Sequence, residues 1–158
     1  MRLLFTLAEE KDAEEILKNV KSIFKNDLEK YRPESLPMLA HLSTERLINA
    51  FVNHVYYKIV LDHQIIGGIH LIPKEEGHFY LNQLYVLAKF QGLGIGKRAI
   101  SFIEENHSQI VLWTLDVAFD NFKNHKFYGE VGYKKTGENI VSDYLTVFEY
   151  RKDISLNK

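Results

Sequence analysis

Two runs of residues in this chain have types and spacing suited to chemistry. In Gln91-Gly92-Leu93-Gly94-Ile95-Gly96-Lys97, three glycines fall within five residues. Glycine lets the backbone approach a ligand closely, because no Cβ intervenes. The residues before this run, Leu81 to Val86, are apolar and aromatic, like a buried strand. The residues after it place Ala99, Phe102 and Ile103 at helical spacing. A helix start presents unpaired N–H groups and a partial positive charge. Strand, glycine-rich turn and helix in that order predict a phosphate cradle. Downstream, Asn121, Asn124 and Tyr128 are spaced i, i+3 and i+7, which places them on one stripe of a helix. Polar groups on one stripe beside Phe127 and Val131 suit a helix that turns an edge toward a polar ligand.

Two common cradles are excluded. A dinucleotide fingerprint G-x-G-x-x-G starting at Gly92 needs glycine where the chain has Lys97. A P-loop ending at Gly96-Lys97 needs glycine where Gln91 stands and Ser or Thr where Arg98 stands. What remains, Gln91-x-x-Gly94-x-Gly96 preceded by Leu84-Tyr85-Val86, resembles the pyrophosphate-binding motif of the GNAT superfamily of acyl-CoA-dependent N-acyltransferases. The run Asn121-x-x-Asn124-x-x-Phe127-Tyr128-x-x-x-Gly132-Tyr133 resembles the second motif of that family, commonly N-x-x-A-x-x-F-Y-x-x-x-G-F. Asn124 departs from the usual alanine, and Tyr133 replaces phenylalanine.

The resemblance implies roles for particular residues. Leu84, Tyr85 and Val86 would act through their backbone. A bulge splays that strand from its neighbour, and the freed groups bind the pantetheine arm and polarise the thioester carbonyl. Gln91, Gly92, Leu93, Gly94, Ile95, Gly96 and Lys97 would hold the coenzyme, with Asn121 and Asn124 beside it. Tyr128 would be the catalytic acid that protonates the departing thiolate. A thiol with pKa about 8.5 is a fair leaving group, and a phenol with pKa about 10 can stabilise it. Plainer readings stand beside these: Tyr128 as a core aromatic, Leu84 to Val86 as a buried strand, Lys97 and Arg98 as a solvated helix start. Some family members take the proton from the amine with a glutamate on the strand before the first motif. Here that strand offers Tyr80, Asn82 and Gln83 but no carboxylate. Backbone carbonyls and waters could relay the proton instead. His78 at the strand's start is weighed as a base, and no base is assigned.

Composition bounds the function class. The chain has 158 residues, enough for one domain with a real core, and the expectation is a single N-acetyltransferase domain over 1–158. A net charge of -1 argues against a protein built to bind nucleic acid. No apolar run approaches the roughly 20 residues of a membrane helix. The N-terminus turns acidic after Thr6 and does not read as a signal peptide. There is no cysteine, which excludes disulfides, thiolate metal sites and a cysteine acyl-enzyme, and fits a cytoplasmic protein. The seven histidines show no metal-ligand spacing, and no metal is expected.

The elements that must position these residues follow from periodicity. Leu3 to Thr6 reads as a strand. Residues 9 to 25 read as an amphipathic helix carrying Ala13, Ile16, Leu17, Val20 and Phe24. Pro33 and Pro37 interrupt an irregular stretch from Lys25 to Leu42, in which Leu36 to Leu42 could hold a helical turn. Ser43 is an N-cap candidate for a helix with Leu47, Ala50, Phe51 and His54. Val55 to Leu61 and Ile65 to Ile72 read as a hairpin about Asp62-His63-Gln64, with Gly67-Gly68 marking a bulge or a close backbone approach. Further strands are expected at Ile110 to Val117, Tyr133 to Lys135 and Asp143 to Tyr150, and a helix from Asn121 to Glu130 stopped near Gly132. This order predicts an α/β fold, and it resembles the GNAT-type fold end to end. Its sheet would be mixed, largely antiparallel and twisted, with about six to seven strands and about four flanking helices. The unit from 79 to 117 would supply a parallel pair by right-handed crossover.

These readings predict an acetyl-CoA-dependent N-acetyltransferase, with acetyl-CoA as co-substrate and a primary amine attacking directly in a ternary complex. The acceptor is expected to be a small molecule, and the protein a monomer or homodimer with no nucleic-acid or membrane partner. The acceptor pocket is expected from the 26–42 segment, the second helix and the Asn82 end of the strand. Tyr31 would line it, with Glu34 or Arg32 as the charged anchor. The rivals are a protein lysine or N-terminal acetyltransferase and a non-catalytic acyl-CoA-binding regulatory module.

Overall fold

The computed structural model describes residues 2–154. Seven strands form one sheet: β1 (Leu3–Leu7), β2 (Val55–Leu61), β3 (Gln64–Pro73), β4 (His78–Val86), β5 (Leu112–Ala118), β6 (Lys134–Ser142) and β7 (Leu145–Asp153). Their spatial order is β1-β2-β3-β4-β5-β7-β6. Every neighbouring pair is antiparallel except β4 with β5, which is parallel. Among the described residues five α-helices accompany the sheet: α1 (Ala13–Tyr31), α2 (Pro37–Ala40), α3 (Thr44–Asn53), α4 (Ile95–Asn106) and α5 (Phe122–Glu130). The element order matches the expected one, and the short α2 occupies the anticipated helical turn. Among the described residues no helix is long and apolar enough to cross a membrane.

The helices cover both faces. On one face, Ile16 and Val20 of α1 and Leu47 and Ala50 of α3 pack with Tyr56, Ile65 and Tyr85 of the sheet. On the other, Ile95, Ala99, Ile100 and Ile103 of α4 and Tyr128 of α5 pack on Ile59, Ile69, Leu71, Leu81, Trp113 and Leu115. Burying a side chain such as Ile16 is worth roughly 1.5–3 kcal/mol.

Local chemistry sets the element ends. The Ser43 side chain accepts from Arg46 N at 3.1 Å and caps α3, as expected. Asp62 and His63 both have positive φ, 47° and 71°, the handedness a tight hairpin needs. Helix α1 runs six residues past the expected end near Lys25, to Tyr31, and stops where Pro33 forces its predecessor out of helical geometry. The last turns of α1 have their apolar partners far along the chain: Tyr31 packs with Leu145 and Val147.

Two features of β4 create the working surface. First, β4 and β5 pair only from His78 to Tyr80 against Leu112 to Thr114. Beyond Tyr80 the two strands diverge, and the rest of β4 turns an unpaired edge toward the opening. Second, β4 carries a bulge. Leu81 lies opposite Leu71 and Gln83 opposite His70, so Asn82 is the extra residue. A one-residue insertion reverses side-chain alternation. Phe79 and Leu81 face α4 before the bulge; Leu84 and Val86 do so after it, while Tyr85 joins the α1 side. Gly67 and Gly68 mark a close approach, whereas the bulge in β3 falls at the neighbouring Ile66. A Cβ on Gly67 would collide with the Tyr85 carbonyl, and one on Gly68 would sit 2.5 Å from the Tyr85 hydroxyl.

Candidate active site

The opening between β4 and β5 leads into two adjoining cavities. One, of about 580 Å³, is lined by Leu84, Tyr85 and Val86 of β4, by the glycine-rich turn, and by α1 and α5. The other, of about 390 Å³, lies on the far side of Tyr128 and is lined by the end of α1, α2, and strands β4 to β7. Six residues line both: Phe24, Asp27, Leu84, Asn121, Asn124 and Tyr128.

The larger cavity is lined by the glycine-rich turn. Gly94 is the N-cap of α4 and adopts φ 78°, ψ 10°, a left-handed conformation that favours glycine. The first N–H groups of α4 have no partner within the helix, so the N-terminus is a ready anion site. A Cβ on Gly92 or Gly94 would meet nothing within 4 Å; the space above the turn is open to a ligand. Gly96 serves packing instead. A Cβ there would come within 3.1 Å of Phe127, so the glycine lets α4 and α5 approach closely. Gln91 braces the turn. Its Nε2 donates to the Val86 carbonyl at 2.8 Å, and its Oε1 accepts from Lys123 Nζ at 2.8 Å. Gln91, Gly92, Gly94, Ile95, Gly96 and Lys97 all line this cavity. Leu93 does not; its side chain turns outward and is 56% exposed. Lys97 also pairs with Glu130 at 3.3 Å, whereas Arg98 lines neither cavity. The open cradle fits a pyrophosphate, and the adjoining β4 edge fits an extended amide-bearing chain of the pantetheine kind.

At the junction, Tyr128 projects from α5 and is 7% exposed. Burial pushes its hydroxyl pKa up, which keeps the phenol a proton donor. Asn121 differs from the expected stripe. It precedes α5 as its N-cap, and its side chain accepts from Asn124 N at 3.1 Å. A short polar side chain at a helix start is drawn to the free N–H groups there. Asn121 and Asn124 nevertheless line both cavities with Tyr128.

The smaller cavity holds residues that sequence reasoning did not single out. Among the described residues its only charged side chains are Asp27 and Asp116. Asp116 accepts from the Tyr80 hydroxyl at 2.9 Å, across the diverging strands. Burial, and then Asp116, push the Tyr80 pKa up. Tyr31 lines the cavity as expected and donates to Asp120, which also pairs with Lys30. Arg32 and Glu34 line neither cavity, because the left-handed turn at Arg32 carries them away; Arg32 stacks on Tyr144 at 4.5 Å. Helix α3 also contributes nothing to the lining. His78 is turned to Thr114 Oγ1 at 2.7 Å and lines neither cavity. At the β4 bulge, Asn82 Nδ2 donates to His70 Nδ1 at 3.0 Å, and His70 Nε2 lies 2.9 Å from His54 Nδ1. The sequence holds no signal for this chain of polar groups, since the three residues share no periodicity. Among the described residues no group of three or more His, Asp or Glu is placed to hold a metal ion.

Comparison with known proteins agrees with this fold. A sequence model of the acetyltransferase (GNAT) family matches residues 17–133. No curated protein matches the chain. Among solved structures, the PaiA N-acetyltransferase of Thermoplasma acidophilum in complex with coenzyme A is 20% identical. That match covers 97% of this chain and 99% of that one, with a TM-score of 0.81. A chimera of the Vibrio cholerae spermidine N-acetyltransferase SpeG is 18% identical over 100% of both chains, with a TM-score of 0.76. A GNAT acetyltransferase of Elizabethkingia anophelis with acetyl-CoA bound is 16% identical, with a TM-score of 0.62. It covers 73% of this chain and 86% of that one. At these identities the likeness of structure speaks for the fold, while the family match spans most of the chain. The chain belongs to the GNAT family of acetyltransferases.

Proposed function

We propose that this protein is an acetyl-CoA-dependent N-acetyltransferase whose acceptor is the primary amine of a small, cationic molecule. The observation that carries the reading is that two cavities meet at Tyr128 in the opening between β4 and β5. The larger has an anion cradle for the pyrophosphate of the co-substrate at Gly92 to Lys97. The β4 edge at Leu84 to Val86 runs from the cradle toward Tyr128, along the path a pantetheine arm would take. Backbone groups on that edge can hydrogen-bond the arm and polarise the thioester carbonyl. Tyr128 stands where the departing thiolate would form.

In the ternary complex, the amine attacks the carbonyl carbon directly. A covalent relay through cysteine is ruled out, because the chain contains none. The acceptor side favours a small molecule, since a cavity of about 390 Å³ bounded by α1, α2 and β7 suits a compact ligand better than a polypeptide. It favours a cation because, among the described residues, the charged groups there, Asp27 and Asp116, are acids. Spermidine, the acceptor named for the Vibrio cholerae relative, has that character. A non-catalytic acyl-CoA-binding module would have no use for a buried phenol at the junction. The single sheet supports one domain over 1–158, and the cysteine-free composition suits the cytoplasm.

The test is thiol release from acetyl-CoA by the purified protein, over a panel of primary amines: alkyl diamines, spermidine, amino acids and lysine peptides. Turnover is expected with the cationic amines and weakest with amino acids, whose carboxylate would face Asp27 and Asp116. Preference for peptides would overturn the small-molecule reading, and no turnover with any member would overturn the enzymatic one.

A further inference from the structure

We propose that Asp27 is the general base of the reaction, taking the proton from the incoming ammonium and acting from α1 rather than from the β4 strand. This role for Asp27 rests on the acetyltransferase reading above. A primary ammonium with pKa about 10.4 cannot attack until it loses a proton, so a base must stand where the amine meets the thioester. The junction of the cavities is that place. Among the six residues lining both cavities, Asp27 and Tyr128 are the ones that titrate. Tyr128 is the acid, which leaves Asp27.

The other titratable groups facing this space are already engaged. Asp116 accepts from Tyr80, and the nearby Asp120, which lines neither cavity, binds Lys30 and Tyr31. In the larger cavity, Lys97 pairs with Glu130, Lys123 with Gln91, and Tyr85 with the Tyr56 hydroxyl. Among the described residues no histidine lines either cavity. The Asp27 carboxylate forms no side-chain hydrogen bond or ion pair with another described residue, so its oxygens are available to a ligand. Helical spacing explains its aim. Phe24, Asp27 and Tyr31 stand at i, i+3 and i+7 on α1, and all three line the acceptor cavity. Burial raises the pKa of Asp27. Lys30 opposes that rise and Asp120 adds to it, so the carboxylate is a better base than an exposed one.

In the transfer, the Asp27 carboxylate accepts one proton from R–NH3+, and the freed lone pair forms the C–N bond. The C–S bond breaks and its electron pair leaves on sulfur. Tyr128 gives its proton to that thiolate, and the second proton lost by nitrogen restores the phenol. Asp27 then returns its proton to water, so one proton is released per amide formed.

The experiment compares wild type and Asp27→Asn with acetyl-CoA and either 1,4-diaminobutane or spermidine from pH 6 to 10. Calorimetry with acetyl-CoA and circular dichroism check that the variant is folded and binds its co-substrate. The expected result is a loss of kcat of about 10²- to 10⁴-fold at pH 7. The loss should shrink as pH approaches the pKa of the amine, because the free amine then needs no base. Asp27→Glu should restore part of the rate at pH 7. A loss that is the same at every pH, a rise in KM with kcat unchanged, or wild-type turnover would each overturn Asp27 as the base. In all three outcomes wild-type turnover stands, so the acetyltransferase reading survives. Absence of wild-type turnover with every amine of the panel would overturn both.

Discussion

Asn82 and His70 face each other across the β4 bulge, with the Asn82 amide nitrogen 3.0 Å from His70 Nδ1. The contact exists because the extra residue in β4 shifts the register between these two positions. With Nδ1 accepting from Asn82, the His70 proton belongs on Nε2, which points at His54 Nδ1 2.9 Å away. The chain of donors runs in one direction, from Asn82 through His70 to His54. It leaves the Asn82 side-chain oxygen free to face the smaller cavity that Asn82 lines.

His70 makes the protein sensitive to acid. Burial first, and the neighbouring His54 second, lower its pKa from 6.5 to about 4. The unfolded chain takes up a proton below about pH 6.5, while the folded protein refuses it until about pH 4. Stability is therefore intact above pH 6.5 and falls through the window down to pH 4. The loss attributable to this group reaches about 3 kcal/mol. Urea denaturation across that range should show the slope, and a folded His70→Asn variant should flatten it. An unchanged slope would mean that other groups govern the acid response.

Gly94→Val should abolish coenzyme binding while the protein stays folded. The added side chain fills the open space over the α4 N-terminus and strains a left-handed position. Calorimetry with acetyl-CoA measures it, and unaltered affinity in the folded variant would place the pyrophosphate elsewhere.

Tyr128→Phe removes one hydroxyl and little packing, since the ring stays between Phe127 and Tyr133. Turnover should fall by about 10²- to 10⁴-fold, the range for a general acid–base group, with acetyl-CoA affinity nearly unchanged. Wild-type turnover would leave Tyr128 as a packing residue.

Asp116→Asn keeps an oxygen for the Tyr80 hydroxyl and removes the charge. For a cationic acceptor, KM should rise by about fivefold, corresponding to about 1 kcal/mol. Arg32→Ala and Glu34→Gln should leave both constants alone, because neither side chain lines a cavity. Steady-state kinetics of the three variants against the same amine would decide. A response confined to Arg32 or Glu34 would move the acceptor site to the outer turn.

The glycine-rich turn before α4 was legible in the sequence because everything that makes it is local. Strand, glycines and helix follow one another within about twenty-five residues, and the left-handed N-cap at Gly94 is a property of that residue alone. The hairpin at Asp62 and His63, the Ser43 cap and the parallel β4–β5 unit were readable for the same reason. Periodicity and turn chemistry act over one element and its neighbour. The smaller cavity was decided by tertiary structure. Whether α1 continues to Tyr31 depends on Leu145 and Val147, more than a hundred residues away, and that continuation is what aims Asp27 at the junction. The side to which Asn82 turns depends on a register shift against β3, which no alternation pattern within β4 can encode. Asn121 left the expected stripe because the free N–H groups of α5 drew its side chain into a cap. Residue type and spacing determined the glycine-rich turn; long-range packing determined the smaller cavity.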